Sequence, residues 1–574
     1  MTKRQDSVKE NIKEFLRSFE KSLLEAASEL IDKTMPELDR ELFSDFHRTG
    51  NRLRYERPYF QRRKFLSVFA ILSIFYNRHE YINKLEYVID CICSEECWAL
   101  PAHVSLGADG WENTVDLFSA ETAAYLAEII TLLDGRLSDS LCRRAADEVK
   151  RRVLAPFIHS QPFSYGWESA ENNWCAVCCG SVGIAAYYLI KDKAVLDGLF
   201  DRLTASLESY LRGFSNDGAC LEGLGYYTYG LSFYTAFSEL ILSYSDGKRD
   251  ILSNEKMKNI ALFQKKCHLS RGITVSFSDA LPHESFRVGL TAYLSLRFPG
   301  VSFPDFSAAA DFDSDNCYRY LILSRDVVFA RRYLQEASNR EASLSKSSIG
   351  EHIVLPDAMW SICKSENKAA LAAKGGNNGE PHNHNDIGSF QYIFSGNNIV
   401  LDIGAGEYTG DYFGKNRYQT LCCRSLGHSV PIINGSEQLP GANHCATLFE
   451  ADGRGRTVIG LERAYKLSKG DRVRRILDFD LLSGRLRITD DFSISKGGSI
   501  TENLVLAYPP EILSDGFLVE APSCVIRIKC ENGRDFRIVE KSYTDHFGKN
   551  AVVWLAQWSL TENRAVICFD PGAL

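Results

Sequence analysis

The hydrophobic periodicity of this chain changes once, near residue 325, and this change limits the folds that the chain can adopt. In the first half, apolar residues recur three and four positions apart, as in segments 126–133, 182–189 and 233–240. This spacing predicts amphipathic helices. Short turns rich in Gly, Asn and Asp separate these segments. We therefore expect helical hairpins that pack side by side, as a solenoid or as a closed toroid.

After this point the sequence favours β-strands. The segments DVVFARRY, SFQYIFSGNNIVLDIG, RILDFDLLSGRLRITDDFSI, AVVWLAQWSL and RAVICFD are rich in β-branched and aromatic residues and are broken by Gly, Asn and Ser. Ser483-Gly484 lies between two alternating runs and predicts a hairpin turn. For a chain of 574 residues we therefore expect two domains, an α-helical toroid over residues 1–325 and an antiparallel β-sandwich over residues 326–574.

The net charge and the cysteine content limit the partners and the compartment. A net charge of −8 gives no overall attraction to nucleic acid or to an anionic membrane, and no segment has the length of a membrane span. The N-terminal residues lack the apolar core of a secretion signal, and there are 17 cysteines. These features predict a cytoplasmic protein, or a periplasmic or secreted one if a leader was removed.

The densest polar segment runs from Gly375 to Asp386 and directly precedes a predicted strand. It contains His382 and His384 on either side of one asparagine. Polar side chains at such a position destabilise the fold unless they are solvated, metal-bound or catalytic. The segment is therefore either part of a functional site or a polar hairpin loop.

Two further residues extend this candidate site. Asp402 lies at the end of a predicted strand, and His428 precedes another apolar run. Together with His384 they form a donor set that suits a divalent cation, with Zn²⁺ favoured and Mn²⁺ as the alternative. Taken singly, Asp402 is also explained as a turn cap, and each histidine as a hydrogen-bonded core residue.

The helical half contains two candidate segments. Asn172 and Asn173 stand before Trp174 at the start of a small-residue helix, where an asparagine commonly acts as an N-cap. In the segment 222–230, Tyr226 and Tyr229 are three positions apart and share one helix face. A packed aromatic turn is the alternative interpretation of these tyrosines.

Together these segments resemble the heparinase II/III-like polysaccharide lyases, which act on heparin, heparan sulfate, other glycosaminoglycans and oligoalginate. The resemblance depends on HNHNDIGSFQYIFSGNNIVLDIGAGEY and RYQTLCCRSLGHSVPIING, and less specifically on ENNWCAVCCGSVGIAA and EGLGYYTYG. It implies an incomplete (α/α) toroid followed by an antiparallel β-sandwich, which agrees with the periodicity. It also implies an acidic polysaccharide or oligosaccharide as the substrate.

The resemblance also implies roles for individual residues. Asn173 is expected to neutralise the uronate carboxylate, His382 is the expected catalytic histidine, and Tyr229 is the expected catalytic tyrosine, with Tyr226 in reserve. The expected ligands of a structural metal are His384, Asp402 and His428, and the expected substrate-binding residues are Asn172, Trp174, Glu222, Arg417 and Tyr418. Where the family has an asparagine after the last histidine, this chain has Ser429.

These residue types suit β-elimination at a uronic acid. The C5 proton becomes acidic enough only when hydrogen bonds or positive charge neutralise the neighbouring carboxylate. A tyrosine whose pKa is lowered from about 10 can remove this proton and then protonate the leaving O4, if both lie on one side of the ring. If they lie on opposite sides, His382 is the base and the tyrosine is the acid.

Other functions fit parts of the sequence. An alginate or oligoalginate lyase would use the same mechanism, and basic residues such as Arg48, Arg52 and Arg54 favour sulfated glycosaminoglycans over alginate. A toroid glycoside hydrolase acting on uronides needs two facing carboxylic acids, for which Glu171, Glu222 and Asp279 are available. A non-catalytic glycan-binding protein is the third alternative.

Overall fold

The computed structural model describes residues 2–337, 350–495 and 498–573. The chain forms two compact units. The first unit comprises the described residues of Met1–Phe214, Tyr227–Ala261 and Ser285–Leu344, and the second comprises those of Ser215–Tyr226, Leu262–Glu284 and Ser345–Leu574. The second unit thus includes two segments that lie before the predicted domain boundary at residue 325.

The first unit is helical, and its helices pack both against neighbours along the chain and against more distant helices. Helix α5 packs on α8, α8 on α9 and α12 on α13. The three segments predicted from periodicity lie in α5, α8 and α10, so these helix predictions are confirmed. The helices are α1 (Thr2–Leu30), α2 (Arg40–Thr49), α3 (Leu53–Phe75), α4 (His79–Cys93), α5 (Leu117–Leu132), α6 (Asp139–Val149), α7 (Ala155–His159), α8 (Asn173–Leu189), α9 (Lys193–Arg212), α10 (Leu224–Tyr244), α11 (Glu255–Cys267), α12 (Val288–Arg297) and α13 (Tyr320–Glu336).

Helix α13 corrects the prediction of a strand for DVVFARRY, residues 326–333. Leu323, Val327 and Ala330 are buried at a spacing of four and three, which is the period of one helix face. A short apolar run such as Val327-Val328-Phe329 fits a strand and a helix equally well by periodicity alone. The longer pattern across α13 decides for the helix, so helical structure continues to Glu336.

The second unit contains two large antiparallel sheets. One has the order β11-β12-β13-β14-β21-β18-β17-β16, and the other has the order β19-β20-β15-β8-β7-β5-β4-β3, with β9 paired to β15. The strands are β1 (His268–Ser270), β2 (Ile273–Thr274), β3 (Glu351–Leu355), β4 (Trp360–Lys364), β5 (Ala369–Lys374), β6 (Asn377–Asn378), β7 (Phe390–Phe394), β8 (Asn397–Val400), β9 (Ile432–Ile433), β10 (Gly441–Cys445), β11 (Leu448–Ala451), β12 (Arg456–Gly460), β13 (Arg472–Phe479), β14 (Leu486–Ser493), β15 (Ile500–Leu506), β16 (Pro510–Leu513), β17 (Gly516–Ala521), β18 (Cys524–Glu531), β19 (Gly533–Thr544), β20 (Asn550–Leu560) and β21 (Arg564–Ala573).

The two large sheets pack face to face around one apolar core. The rings of Phe390 and Tyr392 in β7 lie 6.1 Å and 5.2 Å from the ring of Phe569 in β21 of the other sheet. Buried residues of both sheets form a single cluster. The hairpin predicted at Ser483-Gly484 connects β13 to β14, and Gly484 has the positive φ of +76° that such a turn requires.

The helix-plus-sandwich fold class predicted from the sequence is therefore confirmed. Within the described ranges, none of the helices combines the length and the apolar character needed to cross a bilayer.

One buried ion pair connects the sandwich core to the histidine-containing segments. Arg475 in β13 points inward and binds Asp490 of β14, with Nη2 2.6 Å from Oδ2. Its Nη1 donates to the backbone carbonyls of Gly388 at 2.8 Å and Ser429 at 2.6 Å. Gly388 follows the first histidine segment and Ser429 follows His428, so Arg475 holds both segments against the sandwich.

Replacing Arg475 by alanine is expected to lower the free energy of unfolding by about 3–5 kcal/mol, because Asp490 would remain buried without its partner. Chemical denaturation of the full chain measures the difference. Arg474→Ala is the matched control, since Arg474 is exposed on the same strand and surface changes usually cost less than about 0.5 kcal/mol. Equal effects of the two substitutions would contradict the role given to Arg475.

Candidate functional site

The segment His382–Asp386 lies in the second unit between β6 and β7, and its backbone is unusual at the first histidine. His382 has a φ of +55°, a conformation that costs a non-glycine residue about 1–3 kcal/mol. Its side chain remains 18% exposed, whereas those of His384 and Asp386 are fully buried. The polar segment is therefore not a solvated hairpin loop, and His382 is the imidazole of this segment that a ligand can reach.

Asp279 lies at the centre of the side chains around His382. Its Oδ2 accepts hydrogen bonds from Nδ1 of His382 at 2.6 Å and from the hydroxyl of Tyr408 at 2.9 Å. Its Oδ1 accepts from Nε2 of His384 at 2.9 Å and from the hydroxyl of Tyr412. Burial by itself would raise the pKa of Asp279, but the hydrogen bonds from the two histidines hold this pKa well below its usual range. Asp279 is therefore a buried, ionised acceptor.

Tyr226 packs directly on the exposed histidine. Its ring stacks on the imidazole of His382 with a centroid distance of 4.4 Å and an interplanar angle of 27°. The hydroxyl oxygens of Tyr226 and Tyr408 are 2.7 Å apart. Since Tyr408 donates its own proton to Asp279, Tyr226 donates to Tyr408. A phenol and an imidazole thus lie side by side and are both connected to one carboxylate.

Three predicted substrate-binding residues surround the same cluster. Oε1 of the buried Glu222 lies 3.4 Å from Nε2 of His382. Arg417 donates to the backbone carbonyl of Asn383 at 2.8 Å, and its guanidinium lies 4.0 Å from Asp279. Tyr418 donates to the side chain of Asn383 at 3.3 Å. The structure therefore brings Glu222, Arg417 and Tyr418 to the cluster around His382.

The second and third histidines both have Nε2 beside a hydrogen-bond acceptor. Nε2 of His428 donates to the carbonyl of Cys422 at 2.8 Å, and Nε2 of His384 donates to Asp279. In a neutral imidazole the other nitrogen, Nδ1, then carries the lone pair. Nδ1 of His384 is buried and has no hydrogen-bond partner within the described residues, although the Cys423 thiol lies beside the ring. Such outward N–H bonds are the usual support of histidines that bind a metal.

Two carboxylates are near these lone pairs. Oδ2 of Asp402, the predicted third ligand, lies 3.2 Å from Nδ1 of His428, which is a hydrogen-bond distance. The ligand atoms that lie within 4.8 Å of one another come from His384, His428 and Asp386, and this group does not include Asp402. The buried ammonium of Lys374 lies 3.0 Å from Asp386. Among the described residues, Asp402 forms no such ion pair with a lysine or an arginine, so both carboxylates are candidates for the third ligand of a divalent cation.

The first unit contains the remaining predicted residues. Asn172 is the N-cap of α8, and its side chain accepts from the backbone of Trp174 at 3.1 Å, as capping predicts. Asn173 is the first residue of the helix and is 1% exposed. Trp174 packs edge-on against His103, with ring centroids 4.8 Å apart.

Tyr229, the preferred catalytic tyrosine of the sequence analysis, is part of an ionic network in the first unit. Its hydroxyl donates to the buried carboxylate of Glu121, and the guanidinium of Arg319 lies 3.9 Å above its ring. Burial raises the pKa of Tyr229 well above its usual value, despite the opposing charge of Arg319. These contacts give Tyr229 a structural role, whereas Tyr226 is the tyrosine that stacks on His382.

Tyr229→Phe is expected to lower the free energy of unfolding by about 1–3 kcal/mol, because Glu121 would lose one of its donors. Denaturant titration of the variant and of the unmodified chain measures this difference. Tyr87→Phe, which replaces a surface tyrosine, provides the comparison. An unchanged stability of Tyr229→Phe would contradict the structural role.

The basic residues between Arg48 and Lys64 are largely paired with acids of the same unit. Arg62 and Arg63 are buried and bind Glu95 at 2.6 Å and 2.9 Å. Arg52 binds Glu56, Arg54 binds Asp45 and Lys64 binds Asp313. These charges mainly stabilise the helical unit, which weakens the argument that they attract sulfate groups.

Sequence reasoning missed the importance of two residues. The sequence suggests only the role of a hydrolase acid for Asp279, and it suggests no role for Tyr408. Asp279 lies in a loop more than 100 positions before the histidines, and its neighbours in sequence have no recognisable motif. Tyr408 lies within the matched segment VLDIGAGEY, so its position next to Asp402 was the one available signal.

Comparisons with known proteins concern the fold and the second half of the chain. Residues 351–557 match the model of the family described as heparinase II/III-like, C-terminal. No curated protein sequence matches the chain significantly. Residues 351–557, the region with the three histidines, are therefore similar to the C-terminal domain of the heparinase II/III-like family, in agreement with the motif.

Solved structures extend the likeness to most of the chain. A crystal structure of heparinase III matches with a TM-score of 0.65 at 11% identity, over 94% of this chain and 79% of that chain. A mutant of the heparan sulfate lyase from Pedobacter heparinus matches with a TM-score of 0.59 at 12% identity, over 91% and 77%. The chondroitin AC lyase of Streptomyces coelicolor A3, in complex with chondroitin sulphate, matches with a TM-score of 0.50 at 10% identity, over 99% and 79%. The protein therefore has the toroid-and-sandwich fold of these lyases.

Proposed function

We propose that this protein is a polysaccharide lyase that cleaves a uronate-containing glycan by β-elimination, with Tyr226 and His382 as its acid–base pair. The observation that supports this proposal most directly is the stacking of Tyr226 on His382, with both polar groups connected to Asp279. The names of the structural neighbours, which include heparan sulfate and chondroitin lyases, favour a glycosaminoglycan as the substrate. Alginate is the second choice.

The chemistry follows from the two exposed functional groups. Nδ1 of His382 is protonated because it donates to Asp279, so Nε2 carries the lone pair in the neutral ring. This nitrogen is a base for C5 when the proton and the leaving group lie on opposite faces. The hydroxyl of Tyr226 then supplies the proton to O4. For linkages with both groups on one face, the phenolate of Tyr226 would take the C5 proton and then return it to O4.

The negative charge of the enolate needs stabilisation as it develops. The guanidinium of Arg417 lies 4.0 Å from Asp279, and its charge favours a carboxylate close to His382. Arg417 would act by neutralising the carboxylate before the proton is removed. Asn173 of the first unit remains the donor to the uronate carboxylate that the sequence predicts.

Replacing Tyr226 by phenylalanine or His382 by alanine is expected to reduce kcat by about 10²- to 10⁴-fold, because each removes an acid–base group. The assay follows far-ultraviolet absorbance of the unsaturated product on heparan sulfate, chondroitin sulfate, hyaluronan and alginate. Tyr187→Phe in α8 is the control and should retain activity. Full activity of Tyr226→Phe together with loss of activity in Tyr229→Phe would contradict our choice of tyrosine.

The hydrolase alternative is disfavoured by the state of its carboxylates. Asp279 is completely buried and accepts hydrogen bonds from four side chains, so it cannot reach a sugar. Glu171 lies in the first unit and pairs with Arg212 at 3.1 Å. Products without the C4–C5 double bond would nevertheless identify a hydrolase, and saturable binding without products would identify a glycan-binding protein.

We also propose that His384, His428 and Asp402 hold a structural divalent cation, with Zn²⁺ favoured over Mn²⁺. The supporting observation is that Nε2 of each imidazole lies at hydrogen-bond distance from an acceptor, which leaves Nδ1 of each ring available to a cation. When bound, the cation would fix the segment that contains His382, and it would not itself take part in the elimination.

Elemental analysis of the purified protein tests this proposal. We expect bound metal in the unmodified chain and in Asp386→Asn, and loss of most of it in His428→Ala and in Asp402→Asn. A chelator should lower the midpoint of thermal unfolding of the unmodified chain, because a ligand of the folded state stabilises that state. Metal retained in Asp402→Asn but lost in Asp386→Asn would show that the carboxylate ligand is Asp386 and not Asp402.

A further inference from the structure

We propose that Asp279 is the positioning residue of the elimination, which sets the proton on His382 directly and orients the hydroxyl of Tyr226 through Tyr408. This inference rests on the proposed function. Asp279 itself is completely buried and does not touch the substrate. Its effect on the reaction is exerted through the two residues that do.

The first effect is on the tautomer of His382. An ionised carboxylate can only accept hydrogen bonds, so the 2.6 Å contact with Asp279 places the proton of the neutral ring on Nδ1. The lone pair is then on Nε2, the nitrogen that lies 3.4 Å from Glu222. Without Asp279 the proton could occupy either nitrogen of His382. The ring would also lose a hydrogen bond that helps to hold His382 at its positive φ.

The second effect is on the direction of the Tyr226 hydroxyl. Tyr408 donates to Oδ2 of Asp279 at 2.9 Å, so its oxygen is left to accept from Tyr226 at 2.7 Å. The hydrogen bond to Tyr408 therefore fixes the position of the phenolic oxygen of Tyr226. Asp279 accepts hydrogen bonds from four side chains, and these donors hold its two oxygens in place. Asp279 is thus an anchor for these donors.

The surrounding backbone holds Asp279 in place. Ser276 donates to the carbonyl of Asp402 at 2.9 Å, and Ser278 donates to the carbonyl of Leu221 at 2.8 Å. A Cβ at Gly404 would lie 1.9 Å from the carbonyl oxygen of Ala280, and one at Gly223 would lie 2.6 Å from its Cβ. Both glycines also have positive φ. This close packing fixes the loop between the segment that leads to Tyr226 and the segment that contains Asp402.

The same carboxylate links His382 to the proposed metal site. Oδ1 of Asp279 accepts from Nε2 of His384, whose other nitrogen is directed toward the cation ligands. One aspartate therefore fixes the tautomers of both histidines in the His-Asn-His segment. The two rings are held by the two oxygens of a single rigid group.

The experiment compares Asp279→Asn with the unmodified chain on the glycan that the unmodified chain cleaves. We expect kcat to fall by about 10²-fold or more while KM changes by less than about threefold, because an aligned acid–base pair is lost and substrate contacts are retained. Nitrogen-15 NMR of the His382 ring should show Nδ1 protonated in the unmodified chain and a mixture of tautomers in the variant. Asp217→Asn is the matched control, since Asp217 accepts from backbone groups of the same unit.

Tyr408→Phe provides a second variant that leaves the Asp279–His382 contact in place. It should lower kcat by about tenfold or more, since Tyr226 loses its acceptor, and it should leave the His382 tautomer unchanged. It also tests the inference if Asp279→Asn does not fold. Unchanged kcat in Tyr408→Phe, or an unchanged His382 tautomer in folded Asp279→Asn, would overturn the inference. Absence of unsaturated product from the unmodified chain on every uronate glycan would instead overturn the proposed function.

Discussion

The candidate site depends on the burial of one ionised carboxylate. A charge without water is tolerated only when hydrogen-bond donors surround it, and Asp279 obtains its donors from two histidines and two tyrosines. These donors come from the segments 382–384 and 408–412, which are separated from Asp279 by more than 100 residues. Neutralising the charge therefore requires three distant parts of the chain to meet. The orientation of His382 and Tyr226 is a consequence of that requirement.

A second buried charge connects this cluster to the sandwich. Arg475 binds Asp490 inside the core and donates to backbone carbonyls of both histidine segments. The sandwich thus supports the site by fixing the backbone around His384 and His428, and the apolar core supplies the rigidity. Strand β7 begins directly after the first histidine segment and contributes Phe390 and Tyr392 to that core. Fold stability and site geometry are therefore coupled in the second unit.

Residues of the same type have different contacts in this structure because their surroundings differ. Tyr226 and Tyr229 are three positions apart on α10, yet one belongs to the second unit and the other to the first. Tyr229 is held by Glu121 and Arg319, and Tyr226 is held by His382 and Tyr408. In the same way, Asp386 is paired with Lys374, whereas Asp402 lies 3.2 Å from Nδ1 of His428. The spacing of these residues in the sequence does not distinguish the two members of either pair.

The sequence by itself determined the fold class and most of the elements, because periodicity depends only on neighbouring residues. It also predicted roles for His382, His384 and His428, and the motif that contains them lies within the matched residues 351–557. It favoured Tyr229 over Tyr226, it predicted a strand where α13 continues, and it gave Asp279 no role in the predicted elimination. Those points depend on which side chains meet across long separations in sequence. Only the tertiary structure decides them, because the free energy of a buried charge or a short apolar run depends on its partners in space.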